Sequence, residues 1–180
     1  MKFSIKKLVL NALMIALVFL ITYLPFLHIP NPAIQGGYFN IGDAAVMIAA
    51  IILGRKSGFV AGAIGSALAD LAYGSFIFVP ITFIVKGLEG YIVGAIANKN
   101  SDKASSNINR IISLVVGALV MVVGYFIFEL TVIRLIDKSL AVTAVVSELP
   151  GNLIQGTISA IVAYAFVTVI DKSNLVKKLL

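Results

Sequence analysis

The side chains best suited to chemistry in this sequence are ionisable and amide groups placed within apolar stretches. Lys86 and Glu89 are spaced i, i+3. Glu148, Asn152 and Gln155 are spaced i, i+4 and i+7, which places them on one face of a helix. Together these groups offer hydrogen-bond acceptors and donors, which are the means of holding a small polar molecule.

Several other kinds of chemistry are excluded by composition. The chain has no cysteine, which removes structural zinc clusters, thiol nucleophiles, iron–sulfur centres and disulfides. Its single histidine, His28, rules out a multi-histidine metal or haem site. The sequence has no GxxxxGK(S/T) phosphate-binding loop and no His/Glu motif at metal-ligand spacing. We therefore expect no metal, no cofactor and no catalytic residues.

The composition indicates a membrane protein. Of the 180 residues, 60% are hydrophobic and only 12% are charged, and the mean hydropathy is +1.06. Soluble domains are about half apolar and about a quarter charged, so this chain lacks the charge to coat a water-facing surface. At ~20 residues per spanning helix, the length allows at most about seven or eight spans. We predict one membrane-embedded domain over residues 1–180, with no separate soluble catalytic domain.

Six apolar stretches predict six transmembrane helices and an all-α integral membrane fold. They cover 7–26, 41–53, 57–73, 79–97, 110–136 and 147–170. The first follows a short basic segment but runs to Phe26 without a small-residue cleavage site, so it is interpreted as a retained helix rather than a signal peptide. A polar linker over 98–109 separates two three-helix halves.

The second stretch is short, so taken alone it also suits a re-entrant or interfacial segment. Asn40 and Asp43 resemble an N-cap and an acid of the first turn at its start. Gly54, followed by Arg55 and Lys56, is typical of a helix C-terminus. We predict a helix here.

The basic residues predict the orientation. If all six helices cross in turn, eleven lysines and arginines lie on one side and two, Arg134 and Lys138, on the other, with Lys86 inside a span. The eleven are Lys2, Lys6, Lys7, Arg55, Lys56, Lys99, Lys103, Arg110, Lys172, Lys177 and Lys178. The positive-inside rule then places both termini in the cytoplasm. This bias explains the net charge of +6 without nucleic acid, and it requires the second stretch to cross.

With this orientation, the polar residues within the spans fall in the outer half of the membrane. An ionisable group at mid-bilayer costs roughly 2.5–3.5 kcal/mol, so those that are present are functional candidates. Their one-sided arrangement predicts a cup open to the outside rather than a continuous pore or a midplane transport site. The candidate ligand-binding residues are Asn40, Asp70, Tyr73, Lys86, Glu89, Glu129, Glu148, Asn152 and Gln155.

The outer connections 27–40 and 72–80 combine proline and glycine with aromatic residues, a composition that suits lids over a site. Their rings would stack on a flat ligand or anchor the chain at the membrane interface. These rings belong to Tyr38, Phe39, Tyr73, Phe76 and Phe78.

Several of the polar groups also have a purely structural interpretation. Lys86 and Glu89 would neutralise each other between helices. Asp43 would cap the second helix, and Asp70 would be a solvated helix end. Glu148, in the first turn of the last predicted helix, would favour the helix dipole. Their clustering on one side favours the ligand-binding interpretation.

At these residues the sequence resembles the substrate-binding S components of energy-coupling factor (ECF) vitamin transporters. The resemblance covers essentially the whole chain. It includes an AxxxA pattern at Ala12 and Ala16 and the segments Tyr38–Asp43 and Pro80–Tyr91. These segments are similar to the branch that contains riboflavin, hydroxymethylpyrimidine and pyridoxine S components, and closer to the latter pair.

The resemblance implies a transporter subunit of the cell membrane rather than an enzyme. Ala12 and Ala16 would dock on the membrane T component, and two cytoplasmic ATPases would supply the energy. The loaded S component would then rotate in the membrane until the cup faces the cytoplasm.

The polar groups suit a small, planar, hydroxylated nitrogen heterocycle. We therefore predict a pyridoxine-like B6 vitamer or hydroxymethylpyrimidine as the ligand, with riboflavin next and pantothenate after it. A stand-alone secondary transporter, a small membrane enzyme and a membrane scaffold are the rival classes of protein.

Overall fold

The computed structural model describes residues 5–24, 28–30, 34, 37–99, 107–133, 135 and 142–173. Within these ranges the chain forms six α-helices and a short β-hairpin. The helices are α1 (Ile5–Tyr23), α2 (Gly42–Leu53), α3 (Arg55–Tyr73), α4 (Val79–Ala97), α5 (Asn107–Phe128) and α6 (Val142–Lys172). A π-helical turn, Glu129–Ile133, continues α5.

Four of the helices are long and apolar enough to cross a membrane. They are α1, α4, α6 and α5 with its π turn, the last counted over Asn107–Val132. These helices confirm an all-α, multi-pass membrane protein. The shorter α2 and the less apolar α3 are not among them, so six crossings and two cytoplasmic termini stay predictions.

The short helix α2 lies at the centre of the bundle. Ten of its 12 residues are buried, including Asp43 and Met47. It packs against α1, α3, α4 and α6. A helix that is apolar on all sides is stable only when other elements surround it, which explains the continuous apolar sequence of this segment.

Glycines let α3 and α4 approach each other closely. A Cβ atom on Gly62 would collide with the carbonyl oxygen of Lys86, and one on Gly90 with that of Gly58. Small residues at four-residue spacing allow such backbone contact in membrane helices. The pattern here serves packing within the chain, and it sets where the Lys86 backbone lies.

A two-stranded antiparallel hairpin covers one end of the bundle. Its strands are β1 (His28–Pro30) and β2 (Tyr38–Asn40), with Ile29 opposite Phe39. The Phe39 ring packs where a Cβ on Gly151 of α6 would lie. The sequence did not predict the hairpin, because strands of three residues are too short to show alternation and one contains proline.

Several helix bounds differ from the predicted ones. The last helix begins at Val142 instead of residue 147 and includes Pro150, so Glu148 lies beyond its first turn and the helix-dipole interpretation of Glu148 is wrong. The fifth helix changes to the π turn at Glu129 instead of continuing as an α-helix to 136.

Other predicted features agree with the structure or fall outside it. Gly54, with φ of 86°, alone joins α2 to α3, as its predicted role at the end of the second helix requires. The predictions that concern Lys2, Phe26, Lys103, Arg134, Lys138, Lys177, Lys178 and most of the 98–109 linker lie outside the described residues.

Candidate functional site: a polar cavity beneath the hairpin

A small polar cavity of about 40 Å³ lies beneath the hairpin. Five of the six helices and β2 line this cavity, and α2 contributes Asp43 to an ionic network directly behind it. The helices alternate in direction, so the ends that carry these residues meet at one end of the bundle. The lining residues are Thr22, Gly37, Tyr38, Asn40, Ser66, Asp70, Phe78, Thr82, Lys86, Tyr125, Asn152 and Gln155.

A buried ionic network forms one wall of the cavity. Lys86 Nζ makes an ion pair with Asp43 Oδ1. Gln155 Nε2 donates to Asp43 Oδ2 at 2.6 Å, and the Asn40 backbone N–H donates to Gln155 Oε1 at 2.9 Å. Lys86 Nζ also lies 3.7 Å from Glu89 Oε2. The network joins α2, α4, α6 and the hairpin across segments far apart in sequence.

Asp43 is the residue that the sequence reasoning missed. Its carboxylate is fully buried and bonded to Lys86 and Gln155, so its interpretation as a helix cap is wrong. The N-terminus of α2 is stabilised instead by Asn40, whose Oδ1 accepts a hydrogen bond from the Gly42 N–H at 2.6 Å. The sequence did contain a signal for Asp43: it is a carboxylate within a continuous apolar stretch, and other helices have to surround such a stretch.

Asp70 is a second buried carboxyl group, near the C-terminal end of α3. The Tyr38 hydroxyl donates to its Oδ1, and the residue is only 3% exposed. The interpretation of Asp70 as a solvated helix end is therefore wrong. Burial raises the pKa of Tyr38, which lies on β2, and the neighbouring Asp70 carboxylate raises it further.

Hydroxyl groups complete the lining, and the sequence reasoning did not select them. Thr82 and Tyr125 share a hydrogen bond of 2.9 Å, and Lys86 Nζ lies 5.3 Å from the centre of the Tyr125 ring. Thr22 and Ser66 are buried beside them. Threonine and serine are common in membrane helices, so nothing in the sequence distinguished Thr22, Ser66 and Thr82, and nothing distinguished Tyr125 from the other tyrosines.

Five of the nine predicted residues line the cavity: Asn40, Asp70, Lys86, Asn152 and Gln155. Glu89 is buried one turn beyond Lys86, and its distance to Lys86 agrees with partial neutralisation. Tyr73 lies outside, 45% exposed, with its ring 5.3 Å from that of Tyr38. Whether these residues bind a ligand stays a prediction.

Glu129 and Glu148 are buried but are not part of the cavity lining. The Glu129 carboxyl group, on the π turn, interacts directly with that of Glu148 on α6. The two residues form a separate carboxyl pair.

Ala12 and Ala16 are exposed on α1, together with Leu13 and Leu20. In the part of the chain that the structure describes, no group of three or more His, Cys, Asp or Glu side chains is placed to hold a metal ion.

The structure is thus a multi-pass helical membrane protein with a polar cavity at one end of the bundle and a buried charged network behind it. The sequence model of the ECF-type riboflavin transporter S component family matches residues 2–172. The chain belongs to this family, as the resemblance in the sequence predicted.

Two relatives are similar over part of the chain. An uncharacterized protein of the gap 3′ region of Pyrococcus woesei is 43% identical over 100 residues, which are 54% of this chain and 62% of that protein. The thiamine precursor transporter HmpT of Lactococcus lactis subsp. cremoris (strain MG1363) is 32% identical over 124 residues, which are 69% of this chain and 67% of the transporter.

Proposed function

We propose that this protein is the substrate-binding subunit of an ATP-driven ECF transporter and captures a water-soluble vitamin or vitamin precursor. The preferred ligand is hydroxymethylpyrimidine or a pyridoxine-like B6 vitamer. The observation that carries the proposal is the cavity beneath the hairpin, where Lys86, Asp43 and Gln155 form a bonded network and further polar groups face inward. Burial of such a polar cluster is costly in a membrane protein, so its presence favours a functional role.

The character of the cavity supports a small, polar ligand. Hydrogen-bonding side chains occupy most of its wall, and Phe78 is its one purely apolar side chain among the described lining residues. A riboflavin ring system needs a long apolar slot, whereas a single substituted ring needs mainly hydrogen bonds. The Lactococcus lactis relative is a thiamine precursor transporter, which supports the same choice.

Riboflavin is the second candidate, because the matching family carries the name of riboflavin transporters. A cavity of about 40 Å³ is smaller than either ligand, so the hairpin and its neighbours must move apart to admit one. The larger flavin requires the larger movement.

In the proposed orientation all six helices cross the membrane and both termini lie in the cytoplasm. The hairpin and the cavity then face the outside, where the ligand is captured. The basic residues Arg55, Lys56 and Lys172, at the opposite ends of their helices, support this orientation.

The energising partners belong to the same proposal. The exposed face of α1 that contains Ala12 and Ala16 would dock on a membrane T component, with ATP hydrolysed by two cytoplasmic ATPases. In this scheme the chain itself is not an enzyme. Small residues on an exposed helix face favour close packing against another membrane helix.

Equilibrium binding to the purified protein, without partners, tests the ligand. We expect submicromolar affinity for hydroxymethylpyrimidine or pyridoxine and weaker binding of riboflavin and pantothenate; micromolar or weaker binding of all four would contradict the proposal. Co-purification from the native membrane, with both the small molecule and the proteins identified, tests the assembly. Uptake by proteoliposomes that contain this chain alone would instead indicate a stand-alone secondary transporter.

A further inference from the structure

One oxygen of the Asp70 carboxyl group faces the cavity without a partner. Asp70 Oδ1 accepts from Tyr38, but Oδ2 has no hydrogen bond from any residue that the structure describes. Thr82 lies near this carboxyl group, and its hydroxyl shares a hydrogen bond of 2.9 Å with Tyr125, so it can donate to Asp70 only when Tyr125 is the donor of that bond. Since the residue is 97% buried, this oxygen is an acceptor prepared for something absent from the chain itself.

The groups around this oxygen add no fixed donor. Thr22 Oγ1 on α1 and Ser66 Oγ on α3 line the same cavity, and neither has a partner among the described residues. A hydroxyl both donates and accepts, so these two adapt to a ligand without dictating its chemistry. Only the carboxylate demands a donor.

The charge balance around the cavity demands more than a neutral donor. Among the residues that the structure describes, three buried carboxyl groups, those of Asp43, Asp70 and Glu89, lie in the same polar region as one buried ammonium, that of Lys86. The direct contacts of that ammonium are with Asp43, to which it is bonded, and with Glu89 at 3.7 Å. A ligand that brings a positively charged N–H group compensates this excess, and charge-assisted hydrogen bonds are about twice as strong as neutral ones.

We propose that Asp70 is the specificity-determining acceptor of the site and that it binds an amidine-type edge, an exocyclic amino group beside a basic ring nitrogen. This inference rests on the proposed function and narrows its ligand to an amino-substituted pyrimidine. A hydroxylated pyridine presents O–H donors without that paired N–H edge. The imide edge of a flavin places two carbonyl oxygens beside its N–H, and these would face the carboxylate.

The test compares two ligands on the same protein: an aminopyrimidine that carries a hydroxymethyl group, and the same ring with hydrogen in place of the amino group. Their dissociation constants are measured by calorimetry for the wild-type protein and for Asp70→Asn. We expect the wild type to prefer the amino compound by roughly 10- to 100-fold, the range of one charge-assisted hydrogen bond. In Asp70→Asn we expect the preference to fall below about threefold.

The ratio of two affinities does not depend on what fraction of a variant is folded, so a poorly folding Asp70→Asn protein still gives a result. Asp171→Asn is the matched control, because Asp171 pairs with Arg110 outside the cavity lining, and it should keep the wild-type ratio.

The outcomes separate the two proposals. A wild-type protein that binds both rings equally, or an Asp70→Asn protein that keeps the preference, overturns the role of Asp70 and leaves vitamin capture standing. If the wild type binds pyridoxine or riboflavin as tightly as the aminopyrimidine, the role of Asp70 is likewise overturned and vitamin capture stands. Failure of every heterocycle to bind the wild-type protein overturns both.

Discussion

At the scale of single residues, the ion pair between Lys86 and Asp43 joins α2 to α4 inside the buried network. Both side chains are almost fully buried, so each depends on the other for its charge compensation. Removal of one partner from such a pair leaves an uncompensated charge in the interior, whereas replacement of both is often tolerated. The pair therefore couples the stability of α2 and α4 to the chemistry of the cavity.

Lys86→Met should lower the free energy of unfolding by about 3–5 kcal/mol, because the Asp43 carboxylate loses its cation in a dry interior. Asp43→Asn should destabilise the protein in the same range. The double variant should recover much of this loss but not the ligand binding. Thermal unfolding of the detergent-solubilised variants measures stability, and calorimetry measures binding.

Lys56→Met is the matched control, since Lys56 is exposed at the start of α3 and its loss should change stability by less than about 0.5 kcal/mol. Additive effects of the two single substitutions in the double variant would show that Lys86 and Asp43 act independently.

The Tyr38 hydroxyl should stay protonated well above the ordinary tyrosine pKa. Burial raises the pKa of Tyr38 and the adjacent Asp70 carboxylate raises it further, whereas the unfolded chain has the ordinary value of 10.0. Because the folded pKa is the higher one, the stabilisation is fully present below the unfolded value and is lost as the pH rises above it. The tyrosinate absorbance of the wild type minus that of Tyr38→Phe should therefore stay flat as the pH rises through 10.

Tyr23→Phe is the control for that titration, because Tyr23 is 37% exposed on α1 and lies outside the cavity lining. An ionisation of Tyr38 near pH 10 would mean that the hydroxyl is in contact with water and that the hairpin does not close over Asp70.

At the scale of helices, the glycine contact between α3 and α4 positions the cavity wall. Gly62 lies against the backbone carbonyl of Lys86, where no side chain fits. Cores of this kind cannot absorb an added methyl group without moving a backbone. The depth at which Lys86 meets Asp43 therefore depends on a residue that carries no polar side chain.

Gly62→Ala should cost about 1–3 kcal/mol of stability and weaken ligand binding, because it pushes α4 away and displaces Lys86 from Asp43. Gly156→Ala on α6 is the matched substitution. Its Cβ would lie 3.0 Å from the Ala118 Cβ, a contact with side-chain atoms of α5, so we expect a smaller loss of stability and no change in affinity. Equal effects of the two substitutions would show that the α3–α4 contact has no special part in positioning Lys86.

At the scale of the whole molecule, alternation of the helices brings the polar ends together. The C-terminal parts of α1, α3 and α5 meet the N-terminal parts of α2, α4 and α6 at the cavity. This arrangement requires α2 to reverse the chain direction between the hairpin and α3, although its 12 residues are few for a membrane crossing. Because neighbouring helices rather than lipid surround α2, it does not need the length of a lipid-facing helix to hold this position.

Cysteine labelling in cells tests this topology, and the native chain provides a cysteine-free background. Ile29→Cys, Lys56→Cys and Lys172→Cys each place a thiol at an exposed position. We expect a membrane-impermeant maleimide to label position 29 in intact cells and positions 56 and 172 only after permeabilisation. Labelling of 29 and 56 from the same side would show that α2 does not cross.

The class of protein can be predicted from the sequence alone, because composition and hydropathy are sums over residues and do not depend on the fold. The sequence also showed that one end of the bundle is polar, since helix direction alone assigns Lys86, Asp70, Asn152 and Gln155 to the same level. The family followed from the same residues, and the match over residues 2–172 confirms it.

Which polar groups pair with each other depends on how the helices pack. Asp43 and Gln155 are 112 positions apart, and Asp43 and Lys86 are 43 apart, so no local pattern connects them. From the sequence, an aspartate in the first turn of a helix is interpreted as a favourable interaction with the helix dipole. In the folded protein the same side chain instead contacts a lysine on another helix. Burial converts that carboxylate into the central acceptor of a network, and burial is a property of the packed helices rather than of any single segment.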